Sequence, residues 1–445
     1  MNKHFRSYLF WAAAFGLGVL GLSACGGGGG SSSSETEDTP TPSTMTPDVT
    51  IPPADVVETA FSFQSMFMNL ADNVIIPNYE AFDAAVASFA SETGTLGAYC
   101  ASLGVASSGE VMDNLSAAQG EWREVMALWQ RAEVHNLGPA ADDASFLRNR
   151  IYAYDSNPLD TCLTDRVVVL AEEADFDINV RPVSARGLDT VEYLLFNGDL
   201  THSCTVPNDQ TDPWNARPEV ERRQARCSYA LEVAADVGRA ATAIHTAWLP
   251  AGENFRETFI GSEDTSDVIL STVSDAMFYI EQDSKDGKLG IPLGINAGCT
   301  ALACPESVES PFSNNALQNL RANMESFVDL YTGREGMSFD DIISEAGMPS
   351  INTAFAEDAN SIVSLIGTMI AEDASVQNQA QDIVDSVAGS DTDACLASST
   401  NPATDLTVSA CALYGLFSTQ NDRLRTDFIT VVGVDLPNRV QGDSD

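Results

Sequence analysis

Ser184-Ala-Arg-Gly-Leu-Asp-Thr-Val-Glu-Tyr-Leu-Leu-Phe196 is the stretch on which the reading of the fold turns. Wound as a helix at about 100° per residue, it gathers Leu188, Val191, Leu194, Leu195 and Phe196 on one apolar arc. Glu192 falls between Leu188 and Phe196, and Asp189 lies one turn earlier at the edge of the arc. The same spacing recurs on both sides. Before it come Phe63, Phe67, Leu70 and Val74; Tyr79, Phe82, Val86 and Phe89; and Leu115, Ala118, Trp122, Val125 and Trp129. After it come Ile269, Val273, Ala276 and Ile280; Leu317, Leu320, Met324, Phe327 and Tyr331; Ile351, Phe355, Ile362 and Ile366; and a face from Leu406 through Ala410, Leu413, Phe417 and Leu424 to Phe428. Alternation with period two is nearly absent, and only Arg166 to Leu170 reads like a strand. The expectation is an all-α protein. Helices with one apolar stripe pack as bundles, and roughly 390 residues exceed one usual bundle, so two packed helical bundles are expected. They span 55–435 as sub-bundles of about 55–210 and 216–435, with the break near Cys204 to Arg217, where Asn, Asp, Thr and Pro gather. No short-period repeat points to a solenoid.

Composition narrows the function. The 445 residues carry 64 acidic and 22 basic side chains, a net charge of −42 at pH 7. Nothing would offset repulsion from phosphates, which excludes a nucleic-acid partner. Lys3 and Arg6 precede an apolar run from Tyr8 to Leu22, shorter than a membrane span needs and typical of an export signal. Its end, Leu22-Ser23-Ala24-Cys25, resembles the lipobox of bacterial lipoproteins. That resemblance implies removal of residues 1–24, lipidation of Cys25 and attachment to the membrane through the lipid anchor. Gly26 rather than Asp follows the cysteine, which implies the periplasmic side of the outer membrane of a Gram-negative bacterium. Residues 25–54, rich in Gly, Ser, Pro and Thr, read as a flexible tether, and 436–445 as an acidic tail. Gly16-Leu-Gly-Val-Leu-Gly21 matches a dinucleotide fingerprint but lies inside the signal, where no strand precedes it.

Eight cysteines remain beyond Cys25, an even number in an exported chain, which reads as a disulfide framework. Nearest-neighbour pairing gives Cys100 with Cys162, Cys204 with Cys227, Cys299 with Cys304 and Cys395 with Cys411. No C-x-x-C pair supports a thiolate metal site.

A carboxylate on an apolar face needs a cation, a donor or a proton. For Glu192 and Asp189 the plain reading is a structural ion pair with Arg186, Arg148 or Arg150, and the sharper one is a metal or substrate site. Other candidates read as structural. His245 extends the face of Ala234, Ala241 and Trp248 as a hydrogen-bonded core histidine. His135 suits a helix C-terminus as a cation. His202 lies in a loop beside Cys204, and Trp122 and Trp129 are core. Asp283-Ser-Lys-Asp-Gly287 lacks a full calcium loop and reads as a surface turn. No G-x-S-x-G is present.

Gly187-Leu-Asp-Thr-Val-Glu192 resembles the G-x-H-x-x-E signature of imelysin-like proteins, grouped as M75 peptidases and associated with bacterial iron uptake. Further resemblance lies in Asn69 to Tyr79, Trp122 and Trp129, Gly138-Pro-Ala140, Lys288-Leu-Gly-Ile-Pro-Leu-Gly294 and Glu309-Ser-Pro-Phe-Ser313. The resemblance implies paired helical bundles with the signature helix near their junction. Gly187 and Glu192 match the motif, but Asp189 stands where the family has histidine. A carboxylate there makes a harder, more anionic site, suited to iron or a hard divalent cation rather than zinc. Asp189 and Glu192 are the expected metal ligands, with Glu133, Asp142 or Glu309 as further donors.

The leading expectation is therefore an envelope lipoprotein that binds a metal ion or metal-bearing ligand, with envelope iron-uptake proteins as partners. One alternative is an M75-like metallopeptidase with Glu192 as general base, against which the missing histidine counts. The other is a non-catalytic interaction scaffold at the outer membrane.

Overall fold

A computed structural model of the chain describes residues 61–440, apart from 155–157, 207–208, 335, 387–389, 403–408 and 438–439. The signal, Cys25, the tether, Leu406 and most of the acidic tail lie outside the described residues.

No strand occurs among the described residues; Arg166 to Leu170, the one strand-like run, is helix. The elements run α1 (Phe63–Asn69), α2 (Ile76–Phe89), α3 (Thr95–Ser102), α4 (Ser108–Glu133), α5 (Asp142–Ile151), α6 (Thr161–Leu170), α7 (Leu188–Phe196), α8 (Thr211–Asn215) and α9 (Glu219–Trp248). They continue with α10 (Phe255–Ile260), α11 (Ser266–Met277), α12 (Ala316–Thr332), α13 (Phe339–Glu345), α14 (Pro349–Ala371), α15 (Val376–Asp385), α16 (Ser390–Thr400), α17 (Ser409–Arg423) and α18 (Ile429–Val432). Wider π-helical turns occupy Leu70–Ile75, Ile280–Gly290 and Leu424–Phe428.

Local chemistry accounts for several of these boundaries. Ser62, Ser107, Asp160 and Ser375 each accept a hydrogen bond from a first-turn N–H, which caps α1, α4, α6 and α15. Pro77 has no N–H for the carbonyl of Asn73, and the π turn precedes it directly. That freed oxygen accepts a hydrogen bond of 2.7 Å from Arg334 Nη1.

In the first bundle α2 packs on α4 and α9, α3 on the same two helices, and α5 and α7 on α9. In the second, α14 packs on α12 and α17, and α17 on α16 and on the π helix 280–290. The bundles meet where α12 lies against α4. Residues 209–217 lead into α9, which packs on α2, α3, α5 and α7. Trp122, Trp129, Phe67, Phe82, Phe327 and Phe417 are fully buried, as their helical stripes require. No helix among the described residues is long and apolar enough to cross a membrane.

Two of the four expected disulfides, Cys299–Cys304 and Cys395–Cys411, are present. The other two are nested rather than sequential, Cys100 with Cys227 and Cys162 with Cys204. The correction has a packing cause: α3 and α9 lie side by side, with Cys100 and Cys227 Cα atoms 5.6 Å apart. Cys204, on the segment leaving α7, reaches Cys162 at the start of α6 instead, with Cα atoms 4.5 Å apart.

Candidate functional site

Helix α7 is buried on every side from Leu188 to Leu195, as expected of a helix in the middle of a fold rather than on its surface. Gly187 starts it at φ +97°, and a Cβ there would stand 2.9 Å from the Ile151 carbonyl oxygen and 3.0 Å from Asp189 Oδ1. Both the dihedral and the close approach demand glycine. Trp122 Nε1 donates to the Leu188 carbonyl at 3.0 Å, and Gln119 donates to that of Leu195 at 2.9 Å, so α4 grips both ends. On another side Tyr193 donates to Asp165, which also pairs with Arg226 beneath the tyrosine ring. Asp189 and Glu192 are thereby held in place by the helix that carries them.

Neither carboxylate pairs with a cation among the described residues. Arg186 and Arg150 both bind Asp236, and Arg148 binds Glu133 at 2.7 Å, so the three arginines expected beside the signature are committed elsewhere. The contrast with Asp236 is instructive. Burial pushes the Asp236 carboxyl up, yet Arg150 and Arg186 together hold it below the ordinary carboxylate range. Asp189 has no such neighbour. Burial drives it up to about 7, with the Thr190 N–H opposing, and Oδ2 is buried without a hydrogen-bond partner. Burial drives Glu192 up to about 8, although Ser313 and Phe312 donate to Oε1. Those bonds measure 2.7 Å from the Ser313 N–H, 2.8 Å from its hydroxyl and 3.0 Å from the Phe312 N–H. The nearby Asp189 charge adds to the upward push. Arg123, on the exposed side, reaches the Ser313 carbonyl at 3.3 Å and lies over the Phe196 ring.

Both carboxylates line a cavity of about 730 Å³. Its floor includes buried Tyr152, whose ionisation is opposed by burial and by the carboxylates Glu309, Asp189, Glu192 and Glu133. Tyr154, Phe312, Asp283, Asp286 and Glu306 also line it. Asp283 and Asp286 correct the expectation of a surface turn at 283–287: the segment is part of the π helix, with Ser284, Lys285 and Asp286 buried. One π-helical segment therefore turns two acids toward the cavity and Lys285 toward the Tyr414 ring.

The expected further donors do not join the pair. Glu309 binds Lys288 at 3.1 Å and Gln130 at 3.0 Å, Glu133 binds Arg148, and Asp142 does not line the cavity. Lys288 also reaches Gln130 and Asn323, so these residues form a buried polar cluster between α4, α12 and the π helix. The described histidines stand apart from the cavity as well. His135 Nε2 meets Asn78 at 2.7 Å, and burial pushes its ring down to about 3, so it is neutral rather than a cation at the end of α4. His245 bonds Asp83 at 3.0 Å, and His202 Nδ1 accepts from the Cys204 N–H. Among the described residues no group of three or more His, Cys, Asp or Glu side chains is arranged to hold a metal ion. An ion at Asp189 and Glu192 would take its remaining donors from water or from a molecule that carries it.

Sequence reasoning missed Tyr152, Asp283, Asp286 and the Ser313 donors. Ser313 lies in a segment that already carries the family resemblance, which was the available signal. The others come from elements distant along the chain.

The sequence profile of the imelysin family, peptidase M75, matches residues 75–393. No curated protein sequence gives a significant match. Among solved structures, an imelysin-like protein from Psychrobacter arcticum 273-4 superposes with a TM-score of 0.57 at 12% identity, covering 86% of this chain and 100% of its own. A protein from Parabacteroides distasonis ATCC 8503, named an iron-regulated protein A precursor, superposes with a TM-score of 0.54 at 16% identity, covering 83% of this chain and 97% of its own. At such identities the likeness shows the fold, two packed helical bundles. The profile match over most of the chain carries the assignment: this protein belongs to the imelysin family.

Proposed function

We propose that this chain is a lipid-anchored binding protein on the periplasmic side of the outer membrane, whose cavity takes iron or a hard divalent cation as cargo, alone or within a complex. Its place would be in iron uptake, beside other envelope proteins of that process. One observation supports the reading above others: Asp189 and Glu192 are buried together at a cavity wall and neither has an ion-pair partner among the described residues, Arg123, whose charge reaches Glu192, bonding the Ser313 carbonyl instead. Burial makes ionisation of these carboxyls costly, so that both hold protons to about pH 7 and 8, and a bound cation would favour the ionised forms. The family match, a structural neighbour that bears the name iron-regulated protein A precursor, and the lipobox-like Leu22 to Cys25 support the biological setting.

The peptidase reading has less to rest on. Glu192 Oε1 is already occupied by three donors, and no histidine is among the described residues that line the cavity.

Thermal unfolding with ferric, manganese(II) and calcium ions tests the proposal. At least one ion, offered free or on an amine-bearing organic carrier, should raise the melting temperature in a saturable way, and Glu192→Ala should abolish the rise. No rise in either form would end the reading.

A further inference from the structure

We infer that the cavity takes its cation as an ammonium-bearing organic molecule rather than as a bare ion. The inference rests on the proposed function, because it assumes that Asp189 and Glu192 receive a positive charge, and it names the class of molecule that brings it.

Three observations carry it. Among the described residues no third His, Cys, Asp or Glu joins the two buried carboxylates in a metal-holding arrangement, so a bare hard ion, which takes six or more oxygens, would have to draw most of them from water. One acceptor in particular, Asp189 Oδ2, is unpartnered on a residue only 6% exposed that lines the cavity. An ammonium group brings three donors and no acceptor, the complement of such oxygens.

The size also fits. A cavity of about 730 Å³ falls within the range of small-molecule sites and far exceeds one ion. Its walls match an organic body. Tyr152 and Tyr154 stack at an interplanar angle of 13°, and Phe312, Ile291 and Val308 add apolar surface. Aromatic faces next to carboxylates are favourable for organic cations, which gain from both.

Charge sets the sign. No lysine, arginine or histidine is among the described residues that line the cavity, while Asp283, Asp286 and Glu306 are, with Asp286 paired to Lys285 at 3.4 Å. An anionic chelate would be repelled, so metal arriving here would come on a carrier whose own ammonium group seats at Asp189 and Glu192.

Calorimetric titration of the full chain at about pH 8, where the carboxylates can ionise, tests this with benzylamine, its neutral analogue benzyl alcohol, and manganese(II). Benzylamine should bind saturably, and benzyl alcohol about tenfold more weakly or not at all. Asp189→Asn and Glu192→Gln should each weaken benzylamine at least about tenfold without lowering the melting temperature of the free protein. Phe312→Leu should weaken benzylamine while leaving any manganese binding unchanged. If manganese binds through Asp189 and benzylamine does not, the inference falls and the proposed function stands. Equal binding of amine and alcohol also overturns the inference. If neither cation binds, both fall.

Discussion

Ser313 gives both its backbone N–H and its hydroxyl to one oxygen, Glu192 Oε1, at 2.7 and 2.8 Å. The bonds fasten α7 of the first bundle to the segment that opens α12 of the second. They also favour the ionised form of a carboxyl that burial pushes the other way.

Ser313→Ala removes the hydroxyl and leaves the N–H. Loss of a hydrogen bond to a charged acceptor should cost about 1.5–3 kcal/mol when Glu192 is ionised and less when it is protonated. Urea midpoints at about pH 9 and about pH 6 check this. An equal loss at both would contradict the role of the hydroxyl.

The raised carboxyls make stability depend on pH in a defined direction. Asp189 and Glu192 titrate at about 7 and about 8 in the folded protein, above their ordinary range. The folded chain therefore keeps protons that the unfolded chain releases from about pH 4 upward, and the contribution of these groups to stability falls as pH rises from there to about 8. Glu192→Gln and Asp189→Asn cannot ionise, so each should flatten that fall. At about pH 8.5 each should melt a few degrees above the natural protein and at about pH 5 near it. Variants that melt lower at the alkaline end would show that the carboxylates are stabilised by a partner.

Gly187→Ala places a Cβ against the Ile151 carbonyl in a left-handed backbone, where only glycine is unstrained. A loss of about 1–3 kcal/mol is expected from chemical denaturation. Stability within about 0.5 kcal/mol of the natural protein would contradict the description of the start of α7.

Peptide mapping without reduction should recover Cys100 linked to Cys227 and Cys162 to Cys204. Because Cys100 and Cys227 lie 127 residues apart, their loss to serine should cost up to about 5 kcal/mol by loop entropy. Loss of Cys299 and Cys304, only 5 apart, should cost about 2 kcal/mol. Reversal of that order would contradict the framework.

Much of this was legible wherever the signal was local. The stripe through Trp122 and Trp129 announced a core-facing helix, and the arc from Leu188 to Phe196 placed Glu192 inward; both are buried as read. Pairings set by tertiary contact were not legible. Asp236, 50 residues from Arg186, captures that arginine together with Arg150, and nothing in the sequence near α7 discloses it. Adjacent cysteines looked like natural partners because the side-by-side packing of α3 and α9 cannot be read from spacing. Asp283 to Gly287 looked like a surface turn because its composition is polar. Its wider helical turn, which hides Ser284, Lys285 and Asp286, follows from packing against α12 and α17.

Proton release on binding tests the account most directly. The full chain would be titrated at about pH 6.5 with benzylamine and, separately, manganese(II), each in two buffers of different ionisation heat. If a cation displaces protons from Asp189 and Glu192, one to two protons should leave per cation bound, and a chain carrying both Asp189→Asn and Glu192→Gln should lose the binding and the release together. Binding of the same strength in that double variant, or binding with no proton released, would contradict it.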